Sequence, residues 1–156
     1  MMRAAIFTID TGLYRAKEES AAAAALKRIL GQAGFEVKAA GVLPQDREML
    51  ATVMDRLADS GSVDLILTTG AAGYLKADCA PEALAASADR MIPGIPEALR
   101  AYNLRYGKSA MLESLAAGIR KKTVLLNLPE SAKTAKEDLE YILPELVQVV
   151  ENVSLE

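Results

Sequence analysis

The chain has 156 residues, of which 51% are hydrophobic and 25% charged, a formal net charge of −3 and a pI near 5.2. This length suits one domain with its own core, taken as residues 1–156, and the acidic balance excludes the clustered basic surface that nucleic-acid binding relies on. With no histidine and one cysteine, Cys79, Ser-His-Asp and Cys-His mechanisms and Cys/His zinc sites are excluded. Acid–base or metal chemistry falls to Asp, Glu, Lys or Tyr, a donor set that favours Mg²⁺ and similar hard ions.

Residues Arg3 to Ile9 read as a strand, and Lys17 to Leu30 as a helix with Ala22, Leu26, Ile29 and Leu30 on one face. A second strand is expected at Glu36 to Val42. Pro44 and Asp46 then introduce a helix with Asp46 as N-cap, apolar positions Met49, Leu50, Val53, Met54 and Leu57, and Gly61 at its end. Asp64 to Thr69 is a nearly continuous apolar run, as expected for a strand covered on both faces, and it stops at Gly70-Ala71-Ala72-Gly73.

Helices are expected near Pro81 to Ala88 and Pro96 to Arg105, and a third capped by Ser109 and ending at Gly118. Thr123 to Leu128 is a fourth buried strand. Thr134 and Glu137 have capping-box spacing before the last helix, in which Pro144 either kinks the helix or begins a new turn. Strands alternating with helices imply an α/β three-layer sandwich with a mostly parallel sheet, whose ligands sit at the carboxyl ends of strands.

The apolar runs Ala21 to Leu26 and Val124 to Leu128 fall far short of the roughly 20 residues that span a bilayer, and the N-terminus does not read as a secretory signal. A cytoplasmic protein without a membrane segment is expected.

The segments to inspect follow the strands. Gly70-x-x-Gly73 fits either an ordinary turn or a cradle of backbone N–H groups for phosphate. Asp78, three residues before Pro81, is either a metal ligand or a helix-opening acid favoured by the dipole. Asp46 reads as a cap and Asp10 as a turn-forming acid. Cys79 reads as a small buried residue, and Tyr74, Tyr102 and Tyr106 as packing or subunit-contact residues.

Thr68-Thr69-Gly70-Ala71-Ala72-Gly73, then Asp78, then Pro81-Glu82-Ala83 resembles the Thr-Thr-Gly-Gly-Thr-Gly, Asp, Pro-Glu-Ala signature of the MogA/MoaB-type molybdopterin-binding family. The likeness continues through Pro93-Gly94, Ser109-Ala110-Met111-Leu112, Ala116-Ala117-Gly118-Ile119 and Asn127-Leu128-Pro129, and upstream through Asp10, Ser20 and Val42-Leu43-Pro44. It implies a trimer, or a hexamer of trimers, that binds a phosphorylated pterin and a nucleotide.

Active members transfer AMP from Mg²⁺-ATP to the terminal phosphate of molybdopterin. By resemblance, the catalytic residue is Asp78, the metal ligands are Asp78 and Asp46, and the ligand-binding residues are Asp10, Thr69, Gly70, Gly73, Ser109, Pro129 and Ser131. The chain departs from the family at Gln45, where an aspartate is usual, at Ala71 and Ala72 in the glycine loop, at Glu113-Ser114 in place of Ser-Arg, at Ser20-Ala21-Ala22 in place of Ser-Gly-Pro, and at Glu130 in place of the glycine of Pro-Gly-Ser. The alternatives to adenylyl transfer are a noncatalytic paralogue that binds or assembles around another phosphorylated ligand, and a nucleotide-pyrophosphate hydrolase in which Asp78 activates water.

Overall fold

A computed structural model describes residues 1–156. The four expected strands are β1 (Met2–Ile9), β2 (Phe35–Leu43), β3 (Leu65–Thr69) and β6 (Thr123–Leu128); β4 (Arg90–Met91) and β5 (Ala117–Arg120) are additional. They form one sheet in the order β2-β1-β3-β6-β5-β4. The first four are parallel, and β5 and β4 are antiparallel additions at one edge. Between β1 and β2 the register skips one residue, pairing Ala4 with Val37 and Ala5 with Ala39, so Lys38 is an inserted residue.

The helices are α1 (Thr11–Ala16), α2 (Ala21–Gln32), α3 (Arg47–Ser60), α4 (Ala80–Ser87), α5 (Gly94–Leu104) and α6 (Ala132–Ser154). Every residue of β3 and β6 is buried, because helices cover both faces. Ile6, Leu65, Leu67, Val124 and Leu126 pack with Leu26 and Leu30 of α2 and Leu139 and Leu146 of α6. Ala5, Phe7, Ile66 and Leu125 pack on the opposite side with Leu50 and Met54 of α3 and Leu84 of α4. The three-layer α/β sandwich is the expected one, and no helix is long and apolar enough to cross a membrane.

Several local expectations are corrected. The helix expected from Lys17 starts only at Ala21, because Lys17 adopts a left-handed conformation (φ 57°) that ends α1, and the Ser20 hydroxyl accepts from the Ala23 N–H to open α2. Asp46 caps α3 and Gly61 ends it at φ 70° as read. Met49, expected in the core, is 38% exposed, while Leu50 and Met54 turn inward.

Ser109 to Gly118 is not a helix. A short 3-10 helix (Lys108–Leu112) precedes β5, and β5 returns into β6 through a tight Lys121-Lys122 turn in which Lys121 has φ 52°. Gly118 suits that strand because a Cβ there would stand 2.8 Å from the Arg90 carbonyl oxygen. Ser131, not Thr134, caps α6, its hydroxyl accepting from the Thr134 N–H at 3.4 Å. Pro144 lies within the continuous helix at an exposed position, where the carbonyl left without a donor is open to solvent.

Candidate functional site

The chain leaves β1 for β2 on one side and returns to β3 on the other. The carboxyl ends of β1 and β3 therefore flank the place where the strand order reverses, which in open α/β sheets is the ligand crevice. Three loops meet there: Asp10 after β1, Pro44 to Asp46 after β2, and Gly70 to Asp78 after β3.

The loop after β3 is tightly constrained. Gly70 has φ 95°, and a Cβ on it would lie 2.8 Å from the Ile9 carbonyl oxygen. Ala71 is also left-handed, at φ 52°, a conformation costly for alanine and open to glycine. The Gly70 N–H donates to the Leu128 carbonyl at 3.1 Å, the Ala71 carbonyl accepts from Ala80 and the Ala72 carbonyl from Ser114. By contrast, the N–H groups of Ala71, Ala72, Gly73 and Tyr74 donate to no protein group. Four consecutive N–H groups without a protein acceptor beside a strand end are groups of the type that anions use.

The Thr69 hydroxyl donates to the Pro129 carbonyl at 2.6 Å and is buried. It therefore joins the glycine loop to the segment that opens α6. Below it, Asn127 Nδ2 donates to Thr68 Oγ1 at 2.6 Å. Ser131 is occupied as the α6 cap. Glu130 is exposed just before that helix, where the dipole favours an anionic side chain even though it repels an anionic ligand.

Each expected acid holds one backbone donor. Asp10 Oδ1 accepts from Leu13 N–H at 2.9 Å, Asp46 Oδ1 from Met49 N–H at 3.0 Å, and Asp78 Oδ2 from Leu75 N–H at 2.9 Å. The second oxygen of each accepts no hydrogen bond. Asp78 also explains Gly73, since a Cβ there would be 2.6 Å from Asp78 Oδ2. Cys79 is buried, and its thiol is pushed up first by burial, against a backbone hydrogen bond, with the charges of Glu82, Asp46 and Asp78 adding to the rise. No three acidic or thiol side chains are grouped as a metal-binding set. Two carboxylates with free oxygens suit a Mg²⁺ that arrives with nucleotide phosphates, because that ion keeps waters and takes few protein ligands.

Ser109 lies elsewhere. It lines a cavity of about 250 Å³ with Asn103, Glu113, Lys133 and Thr134, linked to the glycine loop through Ser114, whose N–H donates to the Ala72 carbonyl at 2.8 Å. A concavity of about 610 Å³ runs between α1, α2 and β2 past Lys17, Ser20 and Lys27 and includes none of the loop after β3. Asp10, Asp46, Asp78 and the N–H groups without a protein acceptor all lie on the three loops of the crevice.

Two features had no signal in the pattern of the chain. Gln45 bonds across to both neighbouring loops. Asp138 is fully buried on α6, with Oδ2 accepting from Asn103 Nδ2 at 3.0 Å and Oδ1 without a partner. Its carboxyl is raised to about 7, first by burial, with the Asn103 hydrogen bond opposing and the charges of Glu113 and Glu137 adding to the rise. Glu113 is raised as well, by burial, against the Asn103 hydrogen bond and the Arg100 charge.

A profile of the probable molybdopterin-binding domain family matches residues 5–148. A molybdopterin adenylyltransferase of Helicobacter pylori (strain ATCC 700392 / 26695) is 32% identical over 110 residues, and one of Escherichia coli (strain K12) is 36% identical over 101. These matches cover 70% and 65% of this chain but 62% and 52% of those proteins, so the chain spans between half and two thirds of the length of these curated relatives. The crystal structure of the molybdopterin biosynthesis enzyme MoaB from Thermus thermophilus superposes with a TM-score of 0.92 at 35% identity, covering 100% of this chain and 98% of that one. The profile thus extends over most of the sheet and all three loops of the crevice, and the chain belongs to the molybdopterin-binding domain family of molybdenum-cofactor biosynthesis.

Proposed function

We propose that the 156 residues act as one domain that binds molybdopterin and Mg²⁺-ATP and transfers AMP to the terminal phosphate of the pterin in the cytoplasm. The observation that carries this reading is the run of N–H groups from Ala71 to Tyr74 without a protein acceptor, on the loop that ends in Asp78 and is tied by Gln45 to the loop of Asp46. A pterin phosphate oxygen forms a bond to the α-phosphorus of ATP as the bond from that phosphorus to the β-bridging oxygen breaks, and pyrophosphate departs with the electron pair. The cradle holds phosphate oxygens, and the free oxygens of Asp46 and Asp78 receive the nucleotide-borne Mg²⁺. Such chemistry rests on positioning and charge neutralisation and needs neither histidine nor a thiol.

Isothermal titration with molybdopterin and Mg²⁺-ATP tests the reading. Both are expected to bind, with product forming when both are present. Asp78→Asn is expected to weaken Mg²⁺-dependent binding at least tenfold while leaving stability within about 1 kcal/mol. Binding of the pterin without the nucleotide would assign a noncatalytic binding protein instead. Binding of neither would remove the proposal.

Assembly follows from a surface patch. Leu104, Tyr106, Met111 and Leu112 are 41 to 65% exposed at the end of α5, in the turn after it and on the 3-10 helix, beside Tyr102, whose ring stacks on Tyr141 at 4.2 Å. An apolar area of this kind suits a contact between copies. Light scattering is expected to give a trimer or a multiple of it, and a monomer at micromolar concentration would refute this.

A further inference from the structure

Gln45 connects three loops with one residue. Its N–H donates to Thr11 Oγ1 at 2.9 Å, its Oε1 accepts from the Thr11 N–H at 3.4 Å, and its Nε2 donates to the Ala77 carbonyl at 3.2 Å. Thr11 follows Asp10, Gln45 precedes Asp46 and Ala77 precedes Asp78. Each bonded residue is thus the chain neighbour of an acid in the crevice. The side-chain pair of bonds requires an acceptor and a donor on one planar head, which an amide has and an ionised carboxylate lacks.

We propose that Gln45 is a positioning residue for the metal–nucleotide complex: by tying Thr11 to Ala77 it fixes the separation of the Asp46 and Asp78 carboxylates that receive the ion. This rests on the adenylyl-transfer reading. The three bonds are exposed, and two of them are long, so their contribution to stability is small. Their geometric effect is larger, because displacing a reacting or metal-holding group by about 1 Å costs on the order of a hundredfold in rate. Gln45 is therefore expected to matter for binding the metal complex far more than for folding.

The test uses the whole chain with Mn²⁺-ATP as probe, free Mn²⁺ being followed by electron paramagnetic resonance, and ATP in EDTA titrated separately. Gln45→Met, which keeps length and removes both side-chain bonds, is expected to weaken Mn²⁺-ATP about tenfold, to leave metal-free ATP within twofold, and to speed amide exchange in residues 74–79. Thr11→Val, which removes only the hydroxyl acceptor, is expected to show a smaller loss, and Thr11→Ser to restore binding. These two variants carry the test if Gln45→Met does not fold. If wild type binds Mn²⁺-ATP and the variants bind it equally well, the inference on Gln45 fails alone. Equal weakening with and without metal would also overturn it, by assigning Gln45 a general structural role. If wild type does not bind Mn²⁺-ATP at all, the adenylyl-transfer reading fails, and the inference with it.

Discussion

Replacing Asp138 with asparagine is expected to stabilise the protein at pH 8 and to do so much less at pH 5. In the folded chain the carboxyl keeps its proton up to about pH 7, whereas unfolded it is lost near pH 4. Between those values the folded state binds more protons than the unfolded one, so the stability contributed by this group is full below pH 4 and is lost as pH rises through 7. Glu113 and Glu137 add to the cost of ionisation, Asn103 offsets part of it, and Oδ1 has no partner in either state. Asparagine carries no charge at any of these pH values and keeps an acceptor for Asn103 Nδ2. A gain of roughly 2 kcal/mol at pH 8 is expected, about half of what a three-unit difference corresponds to, because the buried site relaxes around the ionised group. Urea unfolding from pH 5 to 8 measures it, and a parallel loss of stability in both proteins would show that Asp138 does not titrate in that range.

Gly70→Ala is expected to destabilise the chain by at least about 2 kcal/mol. The residue would have to keep φ near 95° with a methyl group 2.8 Å from a backbone oxygen of β1, so left-handed strain and a contact that cannot swing away add together. Gly73→Ala is a contrasting case. Its methyl group would meet only the Asp78 carboxylate, a side chain that can move. The expected result is stability within about 1 kcal/mol of wild type and a loss of Mg²⁺-dependent nucleotide binding as large as that of Asp78→Asn. In an Asp78→Ala background, Gly73→Ala is expected to cost nothing further, because the two residues act as one unit. Thermal and urea unfolding of wild type and these variants, with nucleotide titrations, separate the two glycines. Equal destabilisation by both would refute the distinction.

The layers were legible because their signal is periodic. Buried runs such as Leu65 to Thr69 and Thr123 to Leu128 can only be strands covered on both faces, and Asp46 and Gly61 bracket α3 with cap chemistry that acts locally. The errors fall where tertiary contacts decide. Ala116-Ala117-Gly118-Ile119 has helical propensity, yet pairing with β6 and the close approach of β4 make it a strand. Met49 fits the apolar spacing of α3 but lies at its exposed first turn. At the crevice, the glycine turn and the three acids could be located from their places after strands. The four free N–H groups, the reach of Gln45 and the burial of Asp138 could not, because each depends on what the neighbouring loop or helix supplies.

The residue inserted at Lys38 bears on how the protein stays dispersed. β2 is the long outer strand of the sheet, with nine residues, while the other margin, β4, has two. A straight nine-residue margin would offer an unbroken ladder of amides and carbonyls to any passing strand, which is how sheets grow between molecules. The insertion interrupts that ladder near its middle, twists the strand away from planarity, and places Lys38, paired with Glu36 at 2.6 Å, on the solvent side of the break. The margin most able to recruit another chain is therefore the one that carries both an irregular backbone and a charge pair.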